Sequence, residues 1–599
     1  MKSKLLSLSL ATSIIASSSF GYDLKSPLEA LPAHTIAAIE VDNSTEIQKA
    51  FSTNTKLGQL LLSPERIAGY KNYIEELTEE EDELQNTLQK LEDVGLSLDD
   101  IYSMISSKLG LAVTLLKGAN GEPYPIIYIW AEMEDGVAEK AFDTLLETSG
   151  SSEDFEREDQ ELSGILTTRI RDNKNGSSAV LARLENRLIF MIGFPTAGSD
   201  REQGAYYEEK EIEELGTFIS AQLGEGGEFL ENFYATSGVA AHIPQNTPTL
   251  QVLGDVSKLI LLAPQKNIPI FHALKLTDLT KIGFWTSFDD KLQTANFFLG
   301  SPNPREGAPA ILDQEPIQFE TPSWIPQAAT VYSVTSFDID KIYNIGLEVA
   351  ANLVPQEMIN QQIGEIEEQL QNALQTDLAS LLASFGKRIY TIDFPINFID
   401  HPTSQDGSTI PQESKAIITE FENTEILARA LAMAAPFANQ QQPGVPGMEI
   451  FEEMGFNGIR ISIAGVESTF SYGKNKFVVT QGQGTASRVF SLLNNPPEGS
   501  DALVNNEVFR NAVDQYSSEK GLSFTYADGD KLLSNLIPIV TWAFQQGTKS
   551  VAGDDMQDIE KFLALFPEEE EFKETLGAII TRMYTSEDGL NGNTFYEYK

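Results

Sequence analysis

The residues able to do acid–base or metal chemistry are unevenly supplied. The chain has four histidines, His34, His242, His272 and His401, and none stands at the H-E-x-x-H spacing that sets two imidazoles on one helix face around zinc. Lone histidines of this kind more often serve the surface or the core. There is no cysteine, which removes disulfides, thiolate metal sites and cysteine nucleophiles together. Neither G-x-S-x-G nor G-x-x-x-x-G-K-[ST] occurs, so the sequence offers no nucleophile elbow and no phosphate loop. Ser517-Ser518-Glu519-Lys520 spells S-x-x-K, a spacing that on a helix sets a lysine one turn from a serine. No S-D-N or K-T-G accompanies it, and such pairs arise often by chance.

Gly482-Gln483-Gly484-Thr485-Ala486-Ser487 follows a predicted strand, 477–480, and leads into a predicted helix running to Leu493. That is the setting in which glycines bring backbone amides to a pyrophosphate at a helix N-terminus. Ser487 replaces the third glycine and no parallel strand–helix–strand unit surrounds the loop, so a glycine turn capping a strand is the better reading. For calcium, Asp528-Gly529-Asp530 and Asp172-Asn173-Lys174-Asn175-Gly176 are fragments that fail at the later ligand positions. A carboxylate pair for glycoside hydrolysis needs only two well-placed acids, and with 88 acids present the sequence nominates none. Trp130 and Trp285 lie in apolar runs and read as core. No catalytic, cofactor-binding or metal-binding residue is nominated, and no cofactor is implied.

The elements around these residues are better defined. The chain has 599 residues, with 42 Lys plus Arg against 88 Asp plus Glu, a net charge of −46. That length suggests about four domains. The charge argues against a nucleic-acid partner and against electrostatic attachment to anionic membranes. Its plainest role is to keep a large protein hydrated and apart from its copies. Residues 1–21 have the form of a cleaved signal peptide: Lys2 and Lys4, an apolar stretch from Leu5 to Ala16, then Ser17, Ser18, Ser19 and Gly21. The stretch falls short of the roughly 20 apolar residues of a bilayer span. The expected location is therefore periplasmic or secreted, with no integral membrane span in the mature chain.

An internal duplication organises the remainder. Leu31-Pro32-Ala33-His34-Thr35-Ile36-Ala37-Ala38-Ile39-Glu40-Val41 opens one copy. Ile325-Pro326-Gln327-Ala328-Ala329-Thr330-Val331-Tyr332-Ser333-Val334 opens the other, roughly 295 positions later. Each reads as a proline-led approach to an apolar strand. A long acidic helix follows in each copy, marked by Ile74, Leu77, Leu84, Leu88 and Leu91 in the first and by Ile363, Ile366, Leu370 and Leu374 in the second. Phe155 to Gly164-Ile165 matches Phe451 to Gly458-Ile459. Turns at Glu185-Asn186-Arg187 and Gly473-Lys474-Asn475-Lys476 each join two strands, since Asn tolerates positive φ. Thr286-Ser287-Phe288-Asp289-Asp290 corresponds to Thr585-Ser586-Glu587-Asp588-Gly589.

Between the copies, Ser301 to Trp324 carries Pro302, Pro304, Pro309, Pro316 and Pro322, which favours an extended connector. Pro436 to Met448 reads as a surface loop. The expected organisation is a signal peptide (1–21), a first module (22–300), a proline-rich linker (301–324) and a second module (325–599). The fold class is α+β: two similar modules, each an antiparallel sheet flanked by helices, with separate sheets or one shared sheet both open.

The L-P-x-x-T-x-A-x-x-x-V opening after a signal peptide, with the strand–turn–strand blocks and Asp588-Gly589 near the end, resembles a group of large exported bacterial proteins classed as a domain of unknown function. The resemblance implies location and architecture, and it brings no activity, cofactor or catalytic residue. Together these readings favour a non-catalytic binding or scaffolding protein of the cell envelope, its partner an unidentified envelope or extracellular protein or ligand. A secreted carboxylate-dependent hydrolase, with or without a divalent ion, is the alternative.

Overall fold

A computed structural model describes residues 26–42, 45–69, 108–117, 123–133, 136–150, 155–172, 178–193, 201–224, 249–260, 265–400, 409–438, 447–463, 466–517, 519–550 and 567–599, and residues 24, 72, 233 and 262 besides. The signal sequence, His242, His401 and the expected acidic helix of the first copy lie outside the described residues. The chain forms two compact units. The first comprises residues 1–45, 86–245 and 249–255; the second comprises 46–85, 246–248 and 256–599.

In the first unit, strands β1 (Thr35–Asp42), β2 (Lys108–Lys117), β3 (Pro123–Glu132), β4 (Phe155–Leu162), β5 (Ile165–Asp172), β6 (Ser178–Leu184), β7 (Arg187–Gly193) and β8 (Leu250–Asp255) form an antiparallel sheet. Their order is β4-β5-β6-β7-β3-β2-β1-β8. Successive side chains alternate between the two faces. Helix α1 (Val137–Gly150) sets Ala138, Ala141, Phe142 and Leu146 against Leu181, Leu188 and Ala131 on one face. Helix α2 (Arg201–Gln222) covers the other, burying Leu215, Phe218 and Ile219 completely or nearly so. The Phe218 ring lies 4.9 Å from Tyr128 and 6.5 Å from Trp130. Among the described strands β4 pairs only with β5, and its sequence, Phe-Glu-Arg-Glu-Asp-Gln-Glu-Leu, is mostly charged.

The second unit holds β9 (Lys281–Asp289), β10 (Leu292–Gly300), β11 (Val331–Ser336), β12 (Phe385–Asp400), β13 (Thr409–Phe421), β14 (Gly447–Glu453), β15 (Phe456–Ile463), β16 (Val466–Gly473), β17 (Lys476–Gln481), β18 (Ser523–Asp528), β19 (Leu576–Thr585) and β20 (Gly589–Tyr598). Their order is β14-β15-β16-β17-β13-β12-β11-β18-β19-β20-β10-β9, again antiparallel throughout. From β14 to β18 the order has the pattern seen from β4 to β8. The main core joins Tyr332, Val334, Ile392, Phe394, Ile418, Val478, Phe524 and Tyr526 to helices α3 (Thr485–Asn494), through Val489 and Phe490, and α4 (Glu507–Tyr516), through Phe509 and Ala512. Phe456 and Phe490 stack 4.4 Å apart and nearly parallel. The chain is therefore α+β with antiparallel sheets, as its alternating strand patterns predict.

Local features repeat as well. Thr35 N–H donates to Pro32 O and Ala329 N–H to Pro326 O, so both prolines open the same turn. Leu31 and Ile325 are each fully buried, and their carbonyls accept from Phe233 N–H and Leu503 N–H. The β6–β7 hairpin closes between Leu184 and Arg187, with Glu185 at φ +53°; the β16–β17 hairpin closes between Gly473 and Lys476, with Lys474 at +49° and Asn475 at +56°. One sequence match shifts. Gly164 sits in the β4–β5 turn after Ser163, and the same place between β14 and β15 is held by Met454-Gly455. Gly458 lies inside β15 instead, where a Cβ would meet Phe470 O at 2.4 Å.

Residues 256–300 group with the second unit because β10 pairs along its whole length with β20. The proline-rich connector is pinned, and part of it, Ala308–Leu312, is a short 3-10 helix where the prolines suggest extended chain. Arg305 is buried; its Nε donates to Ser301 O at 2.7 Å and its Nη2 to Ser586 O at 2.6 Å, and Nη1 pairs with Asp313. Ile363, Ile366, Leu370 and Leu374 lie on one helix, Gln356–Leu374, with Ile366 exposed. Pro436 belongs to the helix Thr424–Ala438 and Met448 to β14, so the expected loop is confined to 439–446, outside the described residues.

Candidate functional site

The densest buried chemistry lies between α2 and the sheet of the first unit. On β1 the inward positions Ile36, Ala38 and Glu40 are all buried, so period-two alternation carries a carboxylate inward with two apolar neighbours. Glu40 stands opposite Gly110, and Gly110 opposite Trp130. The missing side chain at 110 gives the room: Trp130 Nε1 donates to Glu40 Oε2 at 3.1 Å, and Lys108 Nζ lies 3.0 Å from Oε1. Burial raises the Glu40 carboxyl above its ordinary range, partly offset by the Lys108 charge and the bonds from Lys108 and Trp130.

The polar row continues along the same face. Arg187 Nη2 donates to Glu132 Oε1 at 2.6 Å and Nη1 to Gln222 Oε1 at 2.5 Å, tying the last turn of α2 to β3 and β7. His34 Nε2 lies 3.2 Å from Glu214 Oε2. Further along, buried Glu211 accepts from Tyr124 Oη at 2.5 Å through Oε1 and from Ser178 Oγ at 2.7 Å through Oε2. A Cβ at Gly193 would stand 1.8 Å from Glu211 Oε1, so this contact requires glycine there. Tyr128 is fully buried next to Glu214, which holds its phenol well above the usual range, burial being the larger cause.

Chemically this is a set of clamps. Both oxygens of Glu40 and both of Glu211 are engaged by donors of the same chain, which fixes the two carboxyl groups in place. α2 thus docks through Glu211, Glu214 and Gln222 as well as through Leu215, Phe218 and Ile219. The signal for this row is present in sequence as Glu211, Leu215, Phe218, Ile219 and Gln222, a buried helix stripe that begins and ends with polar groups; locating their partners requires contacts far along the chain.

The residues singled out by sequence fall elsewhere. His272 is exposed on a short helix, Ile268–Ala273. Ser517 is buried just beyond α4, and its Oγ donates to Val513 O at 2.6 Å. Gly482 and Gly484 take positive φ, +101° and +73°, and Gly484 caps α3 as expected for a strand-to-helix turn. The loop amides are spent within the chain: Gly482 N–H donates to Glu467 O and Gln483 N–H to Gln412 Oε1, each at 2.8 Å. Trp130 and Trp285 are buried, in agreement with the core reading. Among the described residues no group of three or more His, Asp or Glu is arranged to hold a metal ion, and no helix is long and apolar enough to cross a membrane.

No protein-family model matches the chain, and no curated protein matches it significantly. Among solved structures it is similar to crystal form III of TP0453, at 10% identity with a TM-score of 0.22, over 49% of this chain and 90% of that one. Crystal form I of TP0453 aligns at 9% identity with a TM-score of 0.21, over 49% of this chain and 88% of that one. At that level neither fold nor function carries over.

Proposed function

We propose that the protein is a non-catalytic, exported binding or scaffolding component of the cell envelope, built from two modules that arose by internal duplication. The observation that carries the non-catalytic reading is that the two acids buried deepest between α2 and the sheet, Glu40 and Glu211, have both oxygens met by donors in their own chain. A general acid or nucleophile must instead meet substrate. The duplication is supported by the matching strand order of β4–β8 and β14–β18 and by the paired turns at Pro32 and Pro326. The signal-like residues 1–21 support export to the periplasm or the medium.

The test is a turnover screen of the purified chain against glycan and peptide polymers, with Glu40→Gln and Glu211→Gln beside it. No turnover by the native chain is expected. Turnover abolished by one acid-to-amide change, in a variant that still folds, would establish the hydrolase alternative and overturn this reading. Mass measurement of the exported protein checks cleavage near Gly21.

A further inference from the structure

The turn between β17 and α3, Gly482-Gln483-Gly484, opens a helix of 10 residues. Gly484, at φ +73°, is its cap residue and offers no side chain to the first turn. Thr485 N–H donates to Gly482 O and Arg488 N–H to Gly484 O, whereas the N–H groups of Gly484 and Ser487 meet no acceptor among the described residues. Gly484 is exposed and Ser487 half-buried, so both stand at the surface. Unmatched N–H groups and the helix dipole together attract negative charge to such an end.

Two side chains point to an anion independently of the helix. Thr485 is 2% exposed, and its hydroxyl has no partner in the chain. That oxygen lies inside the turn, 3.0 Å from where a Cβ at Gly482 would stand. A buried hydroxyl is costly unless something meets it, and nothing in this chain does. Arg488, exposed on the first turn of α3, forms no ion pair among the described residues, in a chain where 88 acids face 42 cations. Its guanidinium carbon instead sits 4.1 Å from the centre of the Phe394 ring. Phe394 pairs across the sheet with Ser414, whose Cα lies 3.1 Å from the same Cβ position at Gly482. The guanidinium is therefore held at the corner of the sheet where the turn lies, as a helical side chain leaning toward its N-terminus should be. Of the neighbouring acids, Glu467 lies 3.5 Å from Arg460 Nε, and Glu413 alternates to the opposite face of the sheet, toward Asp393.

We infer that this turn binds a single phosphoryl group, free or carried by a larger molecule. The donors are two backbone amides, the hydroxyls of Thr485 and Ser487, and the Arg488 guanidinium. They outnumber the two oxygens of a carboxylate and suit a tetrahedral oxyanion. A pyrophosphate would ask for more amides than remain, since Gly482 N–H is spent on Glu467 O and Gln483 N–H on Gln412 Oε1. The site is separate from the clamps of the first unit and goes beyond the role proposed above.

The experiment titrates the full chain with inorganic phosphate at fixed ionic strength and follows binding by calorimetry. Glycerol 3-phosphate and phosphatidic acid vesicles are separate arms, and acetate is the control anion. Saturable binding of one phosphoryl group per chain is expected. It should be about tenfold weaker in Arg488→Gln, which loses a charge-assisted donor, and unchanged in Arg510→Gln on α4. Thr485→Val keeps the side-chain shape without the hydroxyl and should also weaken binding; if it does not fold, Arg488→Gln alone decides. Phosphate and glycerol 3-phosphate bound alike indicate a soluble source, whereas binding confined to the vesicles with the same dependence on Arg488 indicates a lipid head group. No binding in any phosphoryl arm, acetate competing at equal concentration, or equal affinities for the native chain and a folded Arg488→Gln would each overturn the inference. Turnover of a polymer would remove the non-catalytic reading and leave this site in place.

Discussion

Trp130 occupies the space above Gly110. A Cβ at 110 would stand 1.9 Å from indole Cε2 and 2.4 Å from Nε1, the nitrogen that donates to Glu40. One absent side chain thus allows an indole, a carboxylate and the Lys108 ammonium to share a single layer above the sheet.

Gly110→Ala is expected to destabilise the first unit by about 1–3 kcal/mol, the usual cost of overpacking a filled core. Trp130→Phe should cost about as much by a different route, since Glu40 loses a donor while remaining buried. Denaturant unfolding measures both. A change below 0.5 kcal/mol (on the order of a surface substitution) for Gly110→Ala would refute the packing described.

Glu40 also makes a prediction in pH. Burial raises its folded pKa above the unfolded 4.5, so the folded state holds this proton more tightly than the unfolded state. Its contribution is present in full below about pH 4.5 and is lost as pH rises through the higher folded value. Glu40→Gln removes that dependence. Relative to the native chain, the variant should therefore gain ground between pH 4 and pH 7 in unfolding experiments, whatever its constant loss from leaving Lys108 unpaired. A difference independent of pH would show that Glu40 titrates alike in both states.

Much of the architecture was legible because it is written locally. Pro32 and Pro326 announce their strands, since a residue without N–H is favoured at the opening of a ladder. Asn475 announces its hairpin through its tolerance of positive φ. The buried row was not legible, because Glu40 belongs to Trp130 and Lys108, and Glu211 to Tyr124 and Ser178, through contacts that only the closed sheet creates. The Gly164–Gly458 match failed for a related reason. Both glycines follow apolar-polar alternation, but only the turn position demands φ > 0, and in the second unit Gly455 meets that demand.

The β16–β17 hairpin holds two non-glycine residues, Lys474 and Asn475, at positive φ. Replacing them together by Asn-Gly should stabilise the second unit by about 0.5–1 kcal/mol through relief of left-handed strain. Asn475→Val, with its branched side chain in the same conformation, should cost at least about 1 kcal/mol. Thermal unfolding that ranks the two variants in the reverse order would contradict this turn geometry.

Arg305 anchors the proline-rich connector through Ser301, Ser586 and Asp313. Arg305→Ala should destabilise by about 1–3 kcal/mol, since two buried carbonyls lose their donor while Asp313 keeps access to solvent. Lysine should rescue little of that, because a point charge cannot reach three acceptors in a fork. Faster proteolysis within residues 301–324 of the alanine variant is the accompanying readout; equal cleavage rates would argue that the segment is free in the native protein.

The strand Phe155–Leu162 sets a boundary that concerns molecules in number. On the side away from β5 it pairs with no described strand and would template another, yet it carries Glu156, Arg157, Glu158, Asp159 and Glu161 along eight residues. Two such borders brought together would each bring four acids against a single arginine. At high concentration the chain thus carries its own barrier to fibril growth, and neutralising those acids by low pH or by substitution is the condition under which ordered polymers would begin to form.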